Sequence, residues 1–336
     1  MDMEPMGFQK RTWGALAGCA LGDAMGMPTE MLSREDIARS FPNGVHELSR
    51  STPYDVFGRS LAAGEITDDT INTLLVARML IESHGEVDTR RYLDYLDEWM
   101  RANPDKSRFV AGPNTMKALD AISNGTPIEQ AGRFGTTNGG AMKISPIGVV
   151  CDYRDMSALV DAVERICLPT HNTSAAIGCA SAVAAGVSYG VRGGDDTSEL
   201  WDVALRAARE GQRRGFSFPS PSVSRRMEEA RKVVETRGQS ESVQLLKELF
   251  GTGVESVETA PSAFAITSLA KGNPWEAVRL SADIGGDTDT LGAITGAICG
   301  AMHPDALPTS MIDEIEKVND IDFCGYAEGL AHAAGR

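Results

Sequence analysis

Two short segments of this 336-residue chain set carboxylates and hydroxyls side by side: Thr67-Asp68-Asp69-Thr70 and Asp287-Thr288-Asp289-Thr290. Each precedes an apolar run. A single Asp or Thr in that place serves as a helix N-cap, accepting hydrogen bonds from free backbone N–H groups. A cap needs only one acceptor, and a second carboxylate beside it adds repulsion unless a cation or a hydrogen-bond network absorbs it. Magnesium and manganese take octahedral sets of carboxylate, hydroxyl and water oxygens. Asp-x-Asp-Thr offers two such carboxylates with a hydroxyl beside the second. Two further segments, LGDAMGMPTE (21–30) and TNGGAMKISPIG (137–148), contribute Asp23, Glu30 and an Asn-Gly-Gly turn. Asp23 and Glu30 are seven residues apart and fall on roughly the same helix face, although Asp23 could instead satisfy buried backbone groups.

Loops that open a helix or an apolar segment expose N–H groups able to hold a phosphate. Gly112-Pro113-Asn114-Thr115 and Asn138-Gly139-Gly140 have that form, yet Asn-Gly is also a common turn dipeptide. His171 opens an uncharged stretch, either as a cap or as a contact to a ligand. His46, His84, His303 and His332 have no clustered partners.

These residues must be held by helices, because helical periodicity dominates and alternating strand patterns are scarce. The spacing predicts helices over 70–83, 89–101, 115–123, 157–167, 199–211, 223–236, 241–250 and 311–319, separated by Gly/Pro breakers. Residues 173–191 carry no charge over a length close to a membrane span. Their Ala, Gly and Ser content reads as the buried helix of a soluble protein instead. Three segments repeat small residues every fourth position: Gly14/Gly18/Gly22/Gly26, Gly178/Ala182/Gly186/Gly190 and Gly292/Gly296/Gly300. A helical glycine costs about 1 kcal/mol against alanine, so such ladders need a return. Close backbone approach supplies one, and three tightly nested central helices are expected.

The composition narrows the function. With 32 Lys+Arg against 47 Asp+Glu, the net charge is −15, which argues against a nucleic-acid binder that tracks phosphates. The six cysteines form no CxxC pair and no zinc-type cluster, as in a reduced cytoplasmic protein. The start, MDMEPMGFQK, lacks a signal-peptide pattern. A cytoplasmic protein acting on neither nucleic acid nor membrane is expected, with its oligomeric state open.

Taken together and in order, the motif segments resemble the ADP-ribosylglycohydrolase family, which includes the dinitrogenase-reductase-activating glycohydrolases. The family pattern runs G-x-x-x-G-D-A-x-G-x-x-x-E, T-D-D-T, an Asn-Gly loop ending in M-R-x-x-P, T-H and G-G-D-x-D-T. Here these are Gly18 to Glu30, Thr67 to Thr70, Asn138 to Pro146, Thr170-His171 and Gly285 to Thr290. The resemblance implies a centre of two divalent cations, Mg2+ or Mn2+, held by Thr67, Asp68, Asp69, Asp287, Asp289 and Thr290. It places Glu30 near the scissile bond and gives Glu30, Asp68 and Asp289 catalytic parts. It also implies substrate contacts from Gly112, Asn114, Thr115, Asn138, Gly139, Gly140, Met142 and His171.

Ligands at 67–69 and 287–290 share a centre only if the two ends of the chain pack together. The expectation is therefore one all-α, multi-helix domain over 1–336, with the glycine-ladder helices at its centre. One departure is visible: the usual arginine of M-R-x-x-P is Lys143, which keeps the charge and loses the bidentate fork. The implied activity is metal-dependent hydrolysis at the anomeric carbon of a ribose, on an ADP-ribosylated protein or small molecule. Two alternatives stand beside it. One is hydrolysis of a nucleoside-like N-ribosyl metabolite by the same centre; the other is an inactive ADP-ribose-binding protein.

Overall fold

The helix Pro5–Gly26 runs antiparallel to nothing in its own sequence neighbourhood; its partner is Thr288–Met302, at the far end of the chain. Their two glycine ladders face each other. A methyl group built on Gly14, Gly18 or Gly22 would lie 2.2, 2.1 or 1.9 Å from the carbonyl oxygen of Gly300, Gly296 or Gly292. No side chain fits at such distances, so the two backbones touch directly along three turns. This contact is the axis of the molecule.

The computed structural model describes residues 5–110 and 112–336; the acidic start of the chain, 1–4, and residue 111 lie outside the described residues. Eighteen α-helices and no sheet are found among the described residues, which agrees with the all-α expectation. Isolated bridges at Thr137 with Glu255 and Thr173 with Phe216 are the nearest approach to strand pairing there. The eight expected helices form, with ends shifted by at most two residues, except that 241–250 is split. An α-helix covers Gln239–Leu245 and a single wide turn, Leu246–Phe250, continues it.

The third ladder behaves differently from the expectation. It lies on Ser174–Val191, which is long and apolar enough to cross a membrane but is 94% buried inside the protein. Its small residues do not form one seam. Gly178 lies against Gln212 and the Ala208 carbonyl, and Gly190 closes on Ala301. Gly186 meets only the side chains of Ile298, Leu200 and Phe264 at an ordinary 3.4 Å. A four-residue repeat drifts about 40° around a helix axis at each step. In a helix surrounded by neighbours, each step therefore meets a different one. Two helices are nested backbone to backbone, and the third is a packed core helix.

The packing delivers the motif residues to one place. Gly26 ends the first helix hard against the Thr288 carbonyl and the Asp289 backbone, where an added methyl would sit 2.3 to 2.5 Å away. Thr29 then donates from its hydroxyl to the Ala282 carbonyl (2.8 Å) and Thr288 donates to the Gly26 carbonyl (2.9 Å). Met31 N–H donates to Gly286 O at 2.6 Å and Gly286 N–H to Leu32 O at 3.2 Å. The segment that carries Glu30 is thereby tied to the loop that carries Asp287.

Candidate metal centre and ligand loops

Asp23 projects from the first helix at full burial. Its carboxylate accepts from the Thr67 N–H at 3.0 and 3.1 Å, from the Thr67 hydroxyl at 2.8 Å, and from the N–H and hydroxyl of Thr70. It is thus the cap of the Asp68–Glu82 helix, supplied from another element. The Asp residues in the first turn of that helix are released from capping. Asp69 is buried, with one oxygen held by the Thr67 hydroxyl at 3.3 Å and the other, Oδ1, without a hydrogen-bond partner. Asp68 is half-buried beside it.

The second acidic segment follows a tight loop. Gly285 and Gly286 both adopt positive φ, +85° and +86°, a region that an L side chain resists. Gly286 lies so close to the Thr252 carbonyl that a methyl would meet it at 2.3 Å. Asp287 N–H donates to the same carbonyl at 2.7 Å. The loop then opens the Thr288–Met302 helix with Asp289 and Thr290 in its first turn, both buried. The Thr290 N–H donates to Asp289 Oδ1 at 2.9 Å.

Two carboxylate triads result: Asp23 with Asp69 and Asp289, and Glu30 with Asp287 and Asp289. Within each, one oxygen per residue lies within 4.8 Å of the others. Asp289 belongs to both. Burial, and after it the charge of Asp289, pushes the carboxyl groups of Glu30, Asp68, Asp69 and Asp287 well above the usual carboxylate range. The same two causes raise Asp23 to about 6 despite its threonine partners. Buried carboxylates this crowded call for positive charge. Their all-oxygen donor set and the orphaned Asp69 Oδ1 fit a hard divalent cation.

The ligand loops meet this cluster through Asn138. It opens the short 3-10 turn Asn138–Gly140, and its side-chain amide donates to Asp287 Oδ2 and to Thr259 Oγ1. Gly139 and Gly140 pass against His171, where a methyl on Gly139 would lie 2.7 Å from the imidazole. His171 is buried, and burial together with the nearby Lys143 ammonium pushes its pKa well below the ordinary value. It is therefore neutral. Lys143 can only donate, to Tyr92 Oη (3.1 Å) and Thr170 Oγ1 (3.4 Å). Thr170 Oγ1 lies 2.8 Å from Nδ1 and Thr137 Oγ1 lies 3.0 Å from Nε2, and the tautomer sets which partner donates at each. Asn114 also donates to Thr137, at 3.1 Å, from the first turn of the Pro113–Ser123 helix.

Gly112 caps that helix in open space, and Thr115 lies buried within its first turn. Gly112, Asn114, Asn138, Gly139, Gly140 and His171 thus belong to one connected wall. Met142 does not share it in the same way. Its side chain is buried and its carbonyl accepts from Thr73 Oγ1, tying the loop to the 68–82 helix. Sequence reading did not find Arg59, whose side chain is 5% exposed and pairs with Glu30 at 2.7 Å and with Asp55 at 2.9 Å. It lies in an aperiodic stretch with no motif around it. Thr137 opens the 137–148 segment and Thr170 precedes His171 in the Thr-His pair, but neither was singled out there as a site residue.

With this geometry in hand, comparisons with known proteins are informative. A family model described as ADP-ribosylglycohydrolase matches residues 4–336. The chain is 34% identical to the uncharacterized protein YegU of Escherichia coli over 96% of both chains. It is 24% identical to the ADP-ribosyl-[dinitrogen reductase] glycohydrolase of Rhodospirillum rubrum over 97% of both. It is 26% identical to the ADP-ribosylarginine hydrolase Tri1 of Pseudomonas putida, over 91% of this chain and 74% of that one. A solved structure titled an ADP-ribosylglycohydrolase-related protein complex superposes with a TM-score of 0.69 at 25% identity, covering 98% of each chain.

Proposed function

Because the chain belongs to the ADP-ribosylglycohydrolase family, we propose that it hydrolyses the bond at the anomeric ribose carbon of an ADP-ribosylated protein or small molecule, with two Mg2+ or Mn2+ ions. One observation carries the reading. Asn138 donates from the phosphate-type turn straight to Asp287 of the acidic cluster, so a ligand held by the loops lies against the carboxylates.

Thr67, Asp68, Asp69, Asp287, Asp289 and Thr290 hold the cations, and Asp23 fixes Thr67 and the first turn of the 68–82 helix from behind. When bound, the cations orient ribose hydroxyls and supply a nucleophilic water at neutral pH. Glu30, with a carboxyl already raised by burial, accepts the proton of that water. The N-terminus of the Pro113–Ser123 helix and the amides of Gly139 and Gly140 take the diphosphate. The Thr137 hydroxyl accepts from Asn114 at 3.1 Å and lies 3.0 Å from His171 Nε2. Charge develops at the ribose carbon in an oxocarbenium-like transition state, and the carboxylates around it stabilise that charge.

The test is a panel of ADP-ribosyl-arginine, ADP-ribosyl-serine, ADP-ribosyl guanidine and simple nucleosides, each with Mg2+, with Mn2+ and with chelator. Release of free ADP-ribose only when metal is present is the expected result. Turnover of nucleosides alone would shift the substrate to a small N-ribosyl compound. Metal-independent turnover would overturn the proposal.

A further inference from the structure

Lys143 stands where the family motif has arginine, and it is withdrawn from solvent at 1% exposure. Burying an ammonium is costly unless its donors are met, yet the contacts of this one are neutral. They are Tyr92 Oη at 3.1 Å, Thr170 Oγ1 at 3.4 Å and the Tyr92 ring, whose centroid is 4.9 Å away. An ammonium has three hydrogens and no acceptor, so the hydrogen bonds around it start there and run outward. Tyr92 passes its own hydrogen to Asn72 Oδ1 at 2.8 Å, and Asn72 Nδ2 donates to the Asp68 carbonyl at 2.9 Å. The other branch leads to the ligand wall. Thr170 Oγ1 stands between the ammonium and His171 Nδ1, while the Nε2 edge of the ring faces Thr137. A neutral imidazole carries a lone pair on one nitrogen and a hydrogen on the other. With a cation one hydroxyl away from Nδ1, Coulomb attraction places the lone pair on Nδ1 and the hydrogen on Nε2. Thr170 accepts from the ammonium and completes the same polarity by donating to Nδ1, because successive hydrogen bonds polarise one another.

We propose that Lys143 is a positioning residue of the ligand wall: acting through the Thr170 hydroxyl, it fixes His171 as the Nε2–H tautomer, so that the wall points hydrogens at the ligand. Thr137 Oγ1 then receives from His171 and from Asn114 Nδ2, and its own hydrogen goes to the ligand. In the opposite tautomer Thr137 would donate inward to Nε2 and have no hydrogen left for the ligand. The chemistry this wall selects is an oxyanion, as on a phosphate. The inference rests on the proposed function for the identity of the ligand, but not for the tautomer by which it is tested.

The experiment records the imidazole nitrogen shifts by NMR at neutral pH for the parent, Lys143→Met and Lys143→Arg, with the His171 signals assigned from their loss in His171→Gln. Calorimetric titration with ADP-ribose in the presence of Mn2+ accompanies each. The parent is expected to show a single neutral tautomer with the hydrogen on Nε2. Lys143→Met should convert a substantial share of His171 to the Nδ1–H form and bind ADP-ribose several-fold more weakly. Lys143→Arg, which restores the arginine of the motif and keeps the charge, should recover most of both. A parent with the hydrogen on Nδ1, or with both nitrogens protonated, overturns the proposal. So does a folded Lys143→Met whose His171 keeps the parental tautomer, whatever its affinity. Should Lys143→Met not fold, Thr170→Val, which cuts the link and keeps the lysine, decides on the same criteria. A parent that has the expected tautomer but binds no ADP-ribose defeats the proposed function and leaves the spectra to judge Lys143.

Discussion

At the scale of residues, the cluster separates capping from ligation. Asp23 caps the 68–82 helix from another element, which leaves Asp68 free for a cation, and Asp289 spends only Oδ1, on the Thr290 N–H. Asn keeps the shape and caps about as well as Asp. Asp68→Asn and Asp289→Asn should therefore fold without metal, bind Mn2+ more than tenfold more weakly and lose most turnover. Titration and melting curves with and without Mn2+ check this, and parental affinity in both would return these residues to a structural role. The raised carboxyl groups also set a pH dependence for the metal-free protein. Asp23 has an ordinary value of 3.8 and is lifted to about 6 in the folded state, so the folded chain binds more protons than the unfolded one across that window. Stability is then greatest below about 4 as far as this group is concerned, and falls as pH rises through 6. Glu30, Asp68, Asp69 and Asp287, shifted the same way, extend the loss upward. Melting temperature without metal should drop between pH 5 and pH 8, and saturating Mn2+ should flatten the slope. A metal-free protein that grows more stable over that range would contradict the assignment.

At the scale of elements, the ladders make opposite forecasts for the same substitution. Replacing a helical glycine by alanine ordinarily stabilises, through propensity and the unfolded chain. At Gly186 the added methyl meets side chains at 3.4 Å, so Gly186→Ala should be neutral or raise the melting temperature. At Gly18 it would meet a carbonyl oxygen at 2.1 Å, so Gly18→Ala should destabilise by about 1–3 kcal/mol or more, as overpacking does. Gly18→Leu and Gly296→Leu should be worse. Equal melting of Gly18→Ala and Gly186→Ala would remove the distinction. The repeat of four was visible in the sequence for all three helices. Which ladder mates with which was not, because spacing specifies a stripe and not its partner. Other helices left little trace. Ser256–Leu269 contains Pro261, and Pro274–Ile284 begins at a proline that reads as a breaker but stands at the first helical position. The acidic motifs were legible because paired carboxylates are rare without a reason. Arg59 was not, since its partners Asp55 and Glu30 come from a turn and from a distant helix end.

At the scale of the whole molecule, the candidate centre draws carboxylates from residues 23–30, 67–69 and 287–289, all of them around the Gly-to-Gly seam. A cation held by this centre would bind only the assembled arrangement, so Mn2+ should stabilise by about 2.7 kcal/mol at a hundredfold excess over Kd. Amide exchange in Pro5–Gly26 and Thr288–Met302 should slow together, by one common factor. Protection confined to one of the two helices would break the link between seam and centre. The seam has a further consequence, in the order of synthesis. Gly18 leaves the ribosome about 280 residues ahead of Gly296, which at roughly 5–20 residues per second is about 15–60 s. Over that interval a 22-residue helix with a bare glycine groove has no mate. Such a sequence-distant pairing forms late, so the nascent chain spends its translation with its central groove open. Chaperone occupancy, and not the stability of the finished fold, should then govern the yield of truncated or slowly translated messages.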